Sequence, residues 1–247
     1  MAKTRTINQS VADITARARK SGKPLAIIVA GHNGSGKSTM WYDHLVDDIR
    51  IPLVNADRMM LSILPEPGSD DRLRPWAQKL RDTDEMWMAV AQKGVQSFVA
   101  QAMAKKVPFA METVFSYWEP RDDGTFASKI DLIQNLQGEG YFVLLLFVGL
   151  TNSALSVGRV LTRKAQGGHD VAYRKLQARF PRTQHAIRHA LSVADAVVLI
   201  DNSRDPGRAF TPCYVSAGQD VLYDIRIADS PPIEITAWMN VVAPRAI

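Results

Sequence analysis

The chain has 247 residues, 46% hydrophobic and 22% charged, the mixture of a folded globular protein with one sizeable core and not that of a disordered or fibrous chain. Its single cysteine, Cys213, excludes an internal disulfide and a cysteine-based zinc site, and a reducing cytoplasm fits. The net charge of +5 is unevenly spread: residues 151–190 carry Arg159, Arg163, Lys164, Arg174, Lys175, Arg179, Arg182 and Arg188 against Asp170 alone, so this stretch should face phosphates or solvent.

In chain order, residues 7–20 predict a short helix with Val11, Ile14 and Ala18 on one side, a lead-in that ends at the breaker Ser21-Gly22-Lys23-Pro24. The N-terminal residues lack the apolar stretch of a secretory signal, and the longest apolar run, 141–150, is too short to span a bilayer, so no membrane role is expected. Residues 25–30, with Ile27, Ile28 and Val29, suit a strand buried on both faces. Runs at 51–55, 108–112, 142–149 and 196–201 look alike and are separated by stretches long enough for helices, the α/β alternation that gives a mostly parallel sheet flanked by helices. Residues 84–106 predict a helix through Met88, Val95, Phe98, Val99 and Met103. Trp76, Trp87 and Met88 lie where an acceptor pocket could form, although core is the commoner use of such residues. Around Gly218, Cys213-Tyr214-Val215 and Val221-Leu222-Tyr223 predict a β-hairpin that finishes the sheet. The expected organisation is one domain over 1–247: a helical lead-in to 24, a core from 25 to 205, and a C-terminal hairpin and tail from 206.

Directly after the first strand stands Gly31-His32-Asn33-Gly34-Ser35-Gly36-Lys37-Ser38-Thr39, a complete P-loop pattern. Glycines let the backbone turn its N–H groups inward around phosphates, and the following helix adds its positive N-terminal end. Lys37 should reach the β- and γ-phosphates of ATP, and the Ser38 hydroxyl should bind Mg²⁺. A chance match in a chain this long has a probability of roughly one in a hundred. His32 stands at a free position of the pattern and is expected to be a loop residue, not a catalytic base.

Residues just past the carboxyl ends of parallel strands gather along one crevice beside the P-loop. This brings together Asn55-Ala56-Asp57-Arg58, Glu112-Thr113-Val114-Phe115-Ser116 and Asp201-Asn202-Ser203. Phosphoryl transfer needs a positioned acceptor hydroxyl, a carboxylate to take its proton, and cations on the transferring oxygens. Asp57 is the candidate base, with capping of the next helix as its other use. Glu112 could orient the acceptor or hold an Mg²⁺-bound water, or be tied to nearby backbone. Thr113 and Ser116 are further acceptor-side candidates, equally suited to capping a turn. Arg163 leads the basic segment as a lid arginine over ATP, with Gly167-Gly168 as a mobile turn beside it.

The P-loop, the strand-end Val54-Asn55-Ala56-Asp57-Arg58-Met59, the Met111-Glu112-Thr113-Val114-Phe115-Ser116 segment, and Arg163, Gly167-Gly168-His169-Asp170, Arg179 and Pro181-Arg182 in that order resemble the zeta toxin family of P-loop kinases over roughly 25–205. The resemblance implies a P-loop NTPase fold of the nucleoside-kinase kind, with Asp57 as the base that activates a sugar hydroxyl. It implies that Glu112 and Thr113 contact the acceptor and that Arg163 with Arg179 or Arg182 clamps the ATP phosphates. The best-known members phosphorylate UDP-N-acetylglucosamine at the 3′-hydroxyl of its sugar and are held inactive by a small antitoxin protein. Their acceptor motif reads Glu-Gly-Thr-Gly-Arg, whereas this chain has Glu112-Thr113-Val114-Phe115-Ser116, which leaves the acceptor open.

Two rival functions fit parts of the sequence. A polynucleotide 5′-kinase would use the basic segment on a phosphate backbone, but no aromatic-rich surface interleaves the cations. An ATP-dependent switch module would have a P-loop and no acceptor. The expectation is a cytoplasmic ATP- and Mg²⁺-dependent kinase acting on a small-molecule acceptor.

Overall fold

The computed structural model describes residues 5–69, 72–166, 168, 171–228 and 230–245. Helix α1, Ile7–Ser21, starts at a capping box in which Thr6 and Gln9 satisfy each other's backbone N–H groups, and it ends at Gly22 with φ 70°. Strand β1, Leu25–Gly31, leads through the P-loop into α2, Lys37–Met40. The helix then makes a π-turn, Trp41–Leu45, and finishes as α3, Val46–Ile49. That turn follows a nucleotide-binding motif, a common place for such an irregularity.

The order continues as β2 (Leu53–Val54), α4 (Ala56–Ser62), α5 (Pro75–Thr83), α6 (Glu85–Lys105) and β3 (Phe109–Thr113). A small hairpin of β4 (Trp118–Pro120) and β5 (Phe126–Ser128) precedes α7 (Ile130–Gly138), β6 (Phe142–Gly149), α8 (Ser153–Ala165) and α9 (Tyr173–Ala190). The chain closes with β7 (Ala196–Asp201), β8 (Thr211–Ala217), β9 (Asp220–Asp224) and α10 (Ile233–Val242).

Seven strands form one sheet in the order β2-β3-β1-β6-β7-β8-β9. The first five are parallel, and β8 and β9 add on antiparallel as the C-terminal hairpin. Strand β1 lies between β3 and β6: the chain fills β2 and β3 on one side of it and then crosses to β6 and β7 on the other, which opens a crevice at its carboxyl end, where the P-loop stands. The central strands are buried on both faces, as their unbroken apolar runs require.

One face packs Ile27, Val29, Leu144, Leu146 and Val198 against Ile7, Val11 and Ile14 of α1 and Met40, Trp41 and Leu45 behind the P-loop. The other packs Ile28, Met111, Leu145, Phe147 and Leu199 against α6, α7, α9 and α10. The lead-in helix is thus part of the core. The C-terminal tail holds a helix that the sequence pattern did not suggest: Trp238 of α10 lies against Gly149, where an added Cβ would come within 2.0 Å of its ring. Strand β2 is two residues long where five were expected, because Pro52 cannot donate to the ladder at this sheet edge and Asn55 leaves the strand to cap α4. Among the described residues, no helix is long and apolar enough to cross a membrane.

Candidate active site

The site begins with the shape of the loop after β1. Gly34 (φ 71°) and Gly36 (φ 88°) adopt left-handed backbone conformations that bulkier residues resist. A Cβ at Gly31 would come within 2.5 Å of the Val148 carbonyl oxygen, so only glycine allows the loop to pass β6 this closely. Asn202, just past β7, donates from Nδ2 to the Ser35 carbonyl (2.9 Å) and braces the loop from one side. Ser156 of α8 donates to the Asn33 carbonyl (2.7 Å) from the other.

Lys37 is buried, and its Nζ donates to the carbonyls of Gly31 (3.2 Å) and His32 (3.0 Å) and lies 3.8 Å from Glu112 Oε1. Burial holds its pKa below the usual lysine value, against the opposing pull of the Glu112 and Asp57 carboxylates. The Ser38 hydroxyl donates to Glu112 Oε2 at 2.8 Å, and Asn55 Nδ2 donates to the same oxygen at 2.7 Å. Glu112 can be here because it pairs with Val29 in the β1–β3 register, two residues before the loop begins.

Asp57 is the second residue of α4. The cap of that helix is Asn55, whose side chain accepts from the N–H groups of Asp57 (2.8 Å) and Arg58 (3.3 Å). The Asp57 carboxylate is therefore released from capping and lines a cavity of about 690 Å³ that runs from Ser38 and Glu112 to α4, α5 and α6. Arg163 and Gly168 close the cavity on the side of α8. The rest of the expected turn and its neighbours, Gly167, His169 and Asp170, lies outside the described residues.

Other expected residues stand elsewhere. Thr113 accepts from the Phe115 N–H (3.4 Å) in a turn, and neither it nor Ser116 lines the cavity. Asp201 is fully buried and paired with Arg204 at 2.8 Å, so it does not join Asp57 and Glu112. Arg179 is half-buried on α9, and Arg182 is exposed, its Nε donating back to Ala178 of its own helix (3.0 Å). Met88 lines the cavity, whereas Trp76 and Trp87 are surface residues, 55% and 41% exposed.

Tyr42, Arg58, Arg81 and Gln92 also line the cavity and were not singled out from sequence. Arg58 lies over the Tyr42 ring at 4.8 Å from its centroid. Only the position of Arg58, one residue after Asp57, could have signalled any of these.

His32 is buried against Phe180, and burial together with the Lys37 ammonium pushes its pKa down to about 3. A ring so hard to protonate is a poor proton acceptor at neutral pH.

A mostly parallel sheet with a glycine-rich loop and helix after its central strand, and antiparallel strands at one edge, defines a P-loop NTPase fold of the nucleoside-kinase kind. Solved structures share it. A chain from the PezAT chromosomal toxin–antitoxin system of Streptococcus pneumoniae matches with a TM-score of 0.54 and 14% identity, over 98% of this chain and 90% of that one. The AvrRxo1-ORF1:-ORF2 complex, solved with ATP, matches with a TM-score of 0.57 and 13% identity, over 97% of this chain and 70% of that one. The likeness to zeta toxins carried by the sequence motifs thus extends to the fold. No protein-family model and no curated protein sequence matches the chain.

Proposed function

We propose that the chain is an ATP-dependent kinase that transfers the γ-phosphate to a hydroxyl of a small molecule, with Asp57 as the base. The observation that carries this reading is the junction of a complete P-loop with a cavity of about 690 Å³ whose wall holds an uncapped Asp57 beside Ser38 and Glu112. A bare nucleotide switch has no use for a carboxylate-lined cavity of this size beside its P-loop.

Backbone N–H groups of residues 31–36 and the start of α2 would hold the phosphates, with Lys37 leaving the loop carbonyls to meet them. A serine hydroxyl and a carboxylate in contact at the P-loop are the hard oxygen donors that Mg²⁺ prefers, so Ser38 and Glu112 fit it, directly or through water. When bound there, Mg²⁺ neutralises charge on the phosphate oxygens. The acceptor hydroxyl gives its proton to Asp57 as its oxygen bonds to the γ-phosphorus, and the bond from that phosphorus to the β-phosphate oxygen breaks, releasing ADP. Arg163, which lines the same cavity, would neutralise charge on the transferring group, joined by Arg179 or Arg182 on closure of the α8–α9 segment.

A UDP-amino sugar is the proposed acceptor class, supported by the family resemblance and by a cavity large enough for a nucleotide-sized ligand. A small antitoxin partner in the cytoplasm belongs to the same proposal, supported by the toxin–antitoxin neighbour of like fold. The test is mass spectrometry of a small-metabolite extract incubated with protein, ATP and Mg²⁺, beside Lys37→Ala. A gain of one phosphate on a UDP-amino sugar supports the whole proposal, a gain on another metabolite replaces the acceptor, and ATP hydrolysis with no phosphorylated product overturns the kinase reading.

A further inference from the structure

His32 stands at a position where the P-loop pattern accepts any side chain, and it is only 2% exposed. Its main chain and side chain reach in different directions. The carbonyl accepts from Lys37 Nζ (3.0 Å) and from the Ser35 N–H (3.2 Å), so it helps shape the loop. The ring lies flat on Phe180, with centroids 4.1 Å apart and planes 15° from parallel, and meets Phe147 edge-on at 5.6 Å. Neither ring nitrogen has a hydrogen-bond partner among the described residues, so packing, including that against Phe180 and Phe147, and not hydrogen bonding holds the ring.

Phe180 sits in the middle of α9, immediately before Pro181. Proline has no N–H to give to the Gln177 carbonyl, so the helix ladder is interrupted there. The two halves of α9 differ in how they are held. After Pro181, Thr183, Gln184, Ala186, Ile187 and Ala190 are buried; before it, only Leu176 and Phe180 are. The first half carries Arg174, Lys175 and Arg179, and its buried anchors are Leu176 and Phe180, the second being the ring that His32 covers.

We infer that His32 is a positioning residue that couples the P-loop to the arginine-bearing first half of α9 through its stack on Phe180. The inference rests on the reading of the P-loop as the ATP site. Phosphates that order the loop then also order the helix, and by linkage a docked helix tightens the loop's grip on phosphate. The imidazole serves as a neutral aromatic plate in this arrangement. Its protonation stays out of reach at physiological pH, because burial and Lys37 hold the pKa at about 3.

The experiment measures ATP affinity by calorimetry for the wild type, His32→Ala, His32→Phe, Phe180→Ala and the His32→Ala/Phe180→Ala double variant, with hydrogen exchange of residues 173–180 followed with and without ATP. His32→Ala and Phe180→Ala are each expected to weaken binding about fivefold to tenfold, and the double variant no further. His32→Phe, which keeps the aromatic face and lacks both nitrogens, is expected within about twofold of the wild type. Exchange at 173–180 should slow on ATP addition in the wild type and His32→Phe and stay unchanged in His32→Ala. Should His32→Ala fail to fold, His32→Leu against His32→Phe makes the same comparison, because leucine fills space without a π-face. Wild-type affinity in His32→Ala, no recovery in His32→Phe, or multiplying effects in the double variant would overturn the coupling and leave the ATP site standing. A wild type that binds no ATP overturns both.

Discussion

Glu112→Gln tests the electrostatics at the centre of the site. Lys37 and Glu112 have side chains only 8% and 13% exposed and approach to 3.8 Å. At an effective dielectric of about 20, unit charges at that separation attract by about 4 kcal/mol. Glutamine keeps the size of the side chain and can still accept from Ser38 or Asn55, but it removes the charge opposite a buried ammonium. The two loop carbonyls remain on Lys37, so we expect a net loss of about 2–4 kcal/mol in unfolding free energy at neutral pH.

The sign of its pH dependence follows from Lys37. Burial already places its folded pKa below the unfolded value, and loss of the Glu112 charge lowers it further. The unfolded chain then binds more protons than the folded one over a wider window, so stability rises with pH in that window. The deficit of Glu112→Gln should therefore shrink as pH rises from neutrality toward the ordinary lysine range. Urea titrations of both proteins at pH 6.5, 8 and 9.5 measure it. A deficit that stays constant or grows with pH would refute the account of Lys37 as a buried cation held charged by Glu112.

Asp57→Ala should leave ATP affinity within about threefold and cut phosphoryl transfer by about 10²–10⁴, measured as ADP release with the identified acceptor; its melting temperature should hold, because Asn55 and not Asp57 caps α4. Gly36→Ala should abolish calorimetric ATP binding and cost about 1–2 kcal/mol, since φ is 88° and the new Cβ would stand 2.7 Å from Asn202 Nδ2, the atom that braces the loop. His32→Phe should resist acid better than the wild type: a histidine held at about 3 when folded and near 6.5 when unfolded makes the wild type lose stability as pH falls through that interval, which phenylalanine cannot do. Equal acid slopes in denaturation curves would contradict the burial of a neutral ring.

The parts of this molecule written in short-range pattern were legible in the sequence. The strands Phe142–Gly149 and Ala196–Asp201 follow from unbroken apolar runs, and the loop Gly31 to Ser38 from glycine spacing. Asp57 and Glu112 were reached by a topological step, because parallel strands bring their carboxyl ends to one edge. What stayed hidden depends on the rotation and docking of helices. Arg81 and Gln92 line the cavity from α5 and α6, and Trp76 and Trp87 on the same helices face outward, although nothing in their spacing separates them. Asp57 could have capped α4, and only the structure shows that Asn55 does so and leaves the carboxylate to the cavity. The motif-bearing arginines follow the same rule: Arg163 reaches the cavity wall, while Arg182 folds back onto its own helix.

The hairpin and α10 decide how the chain can be handled. The family-like motifs end near residue 205, an inviting place to trim a protein for expression. A cut there would strip β8 from β7, whose residues are all buried, and leave the backbone of an apolar strand unpaired along a new sheet edge. It would also pull Trp238 from its seat on Gly149 and uncover the face of the sheet that α10 shields. Such a fragment would keep the P-loop, Asp57, Glu112 and Arg163 and be poised to associate edge to edge with its own copies.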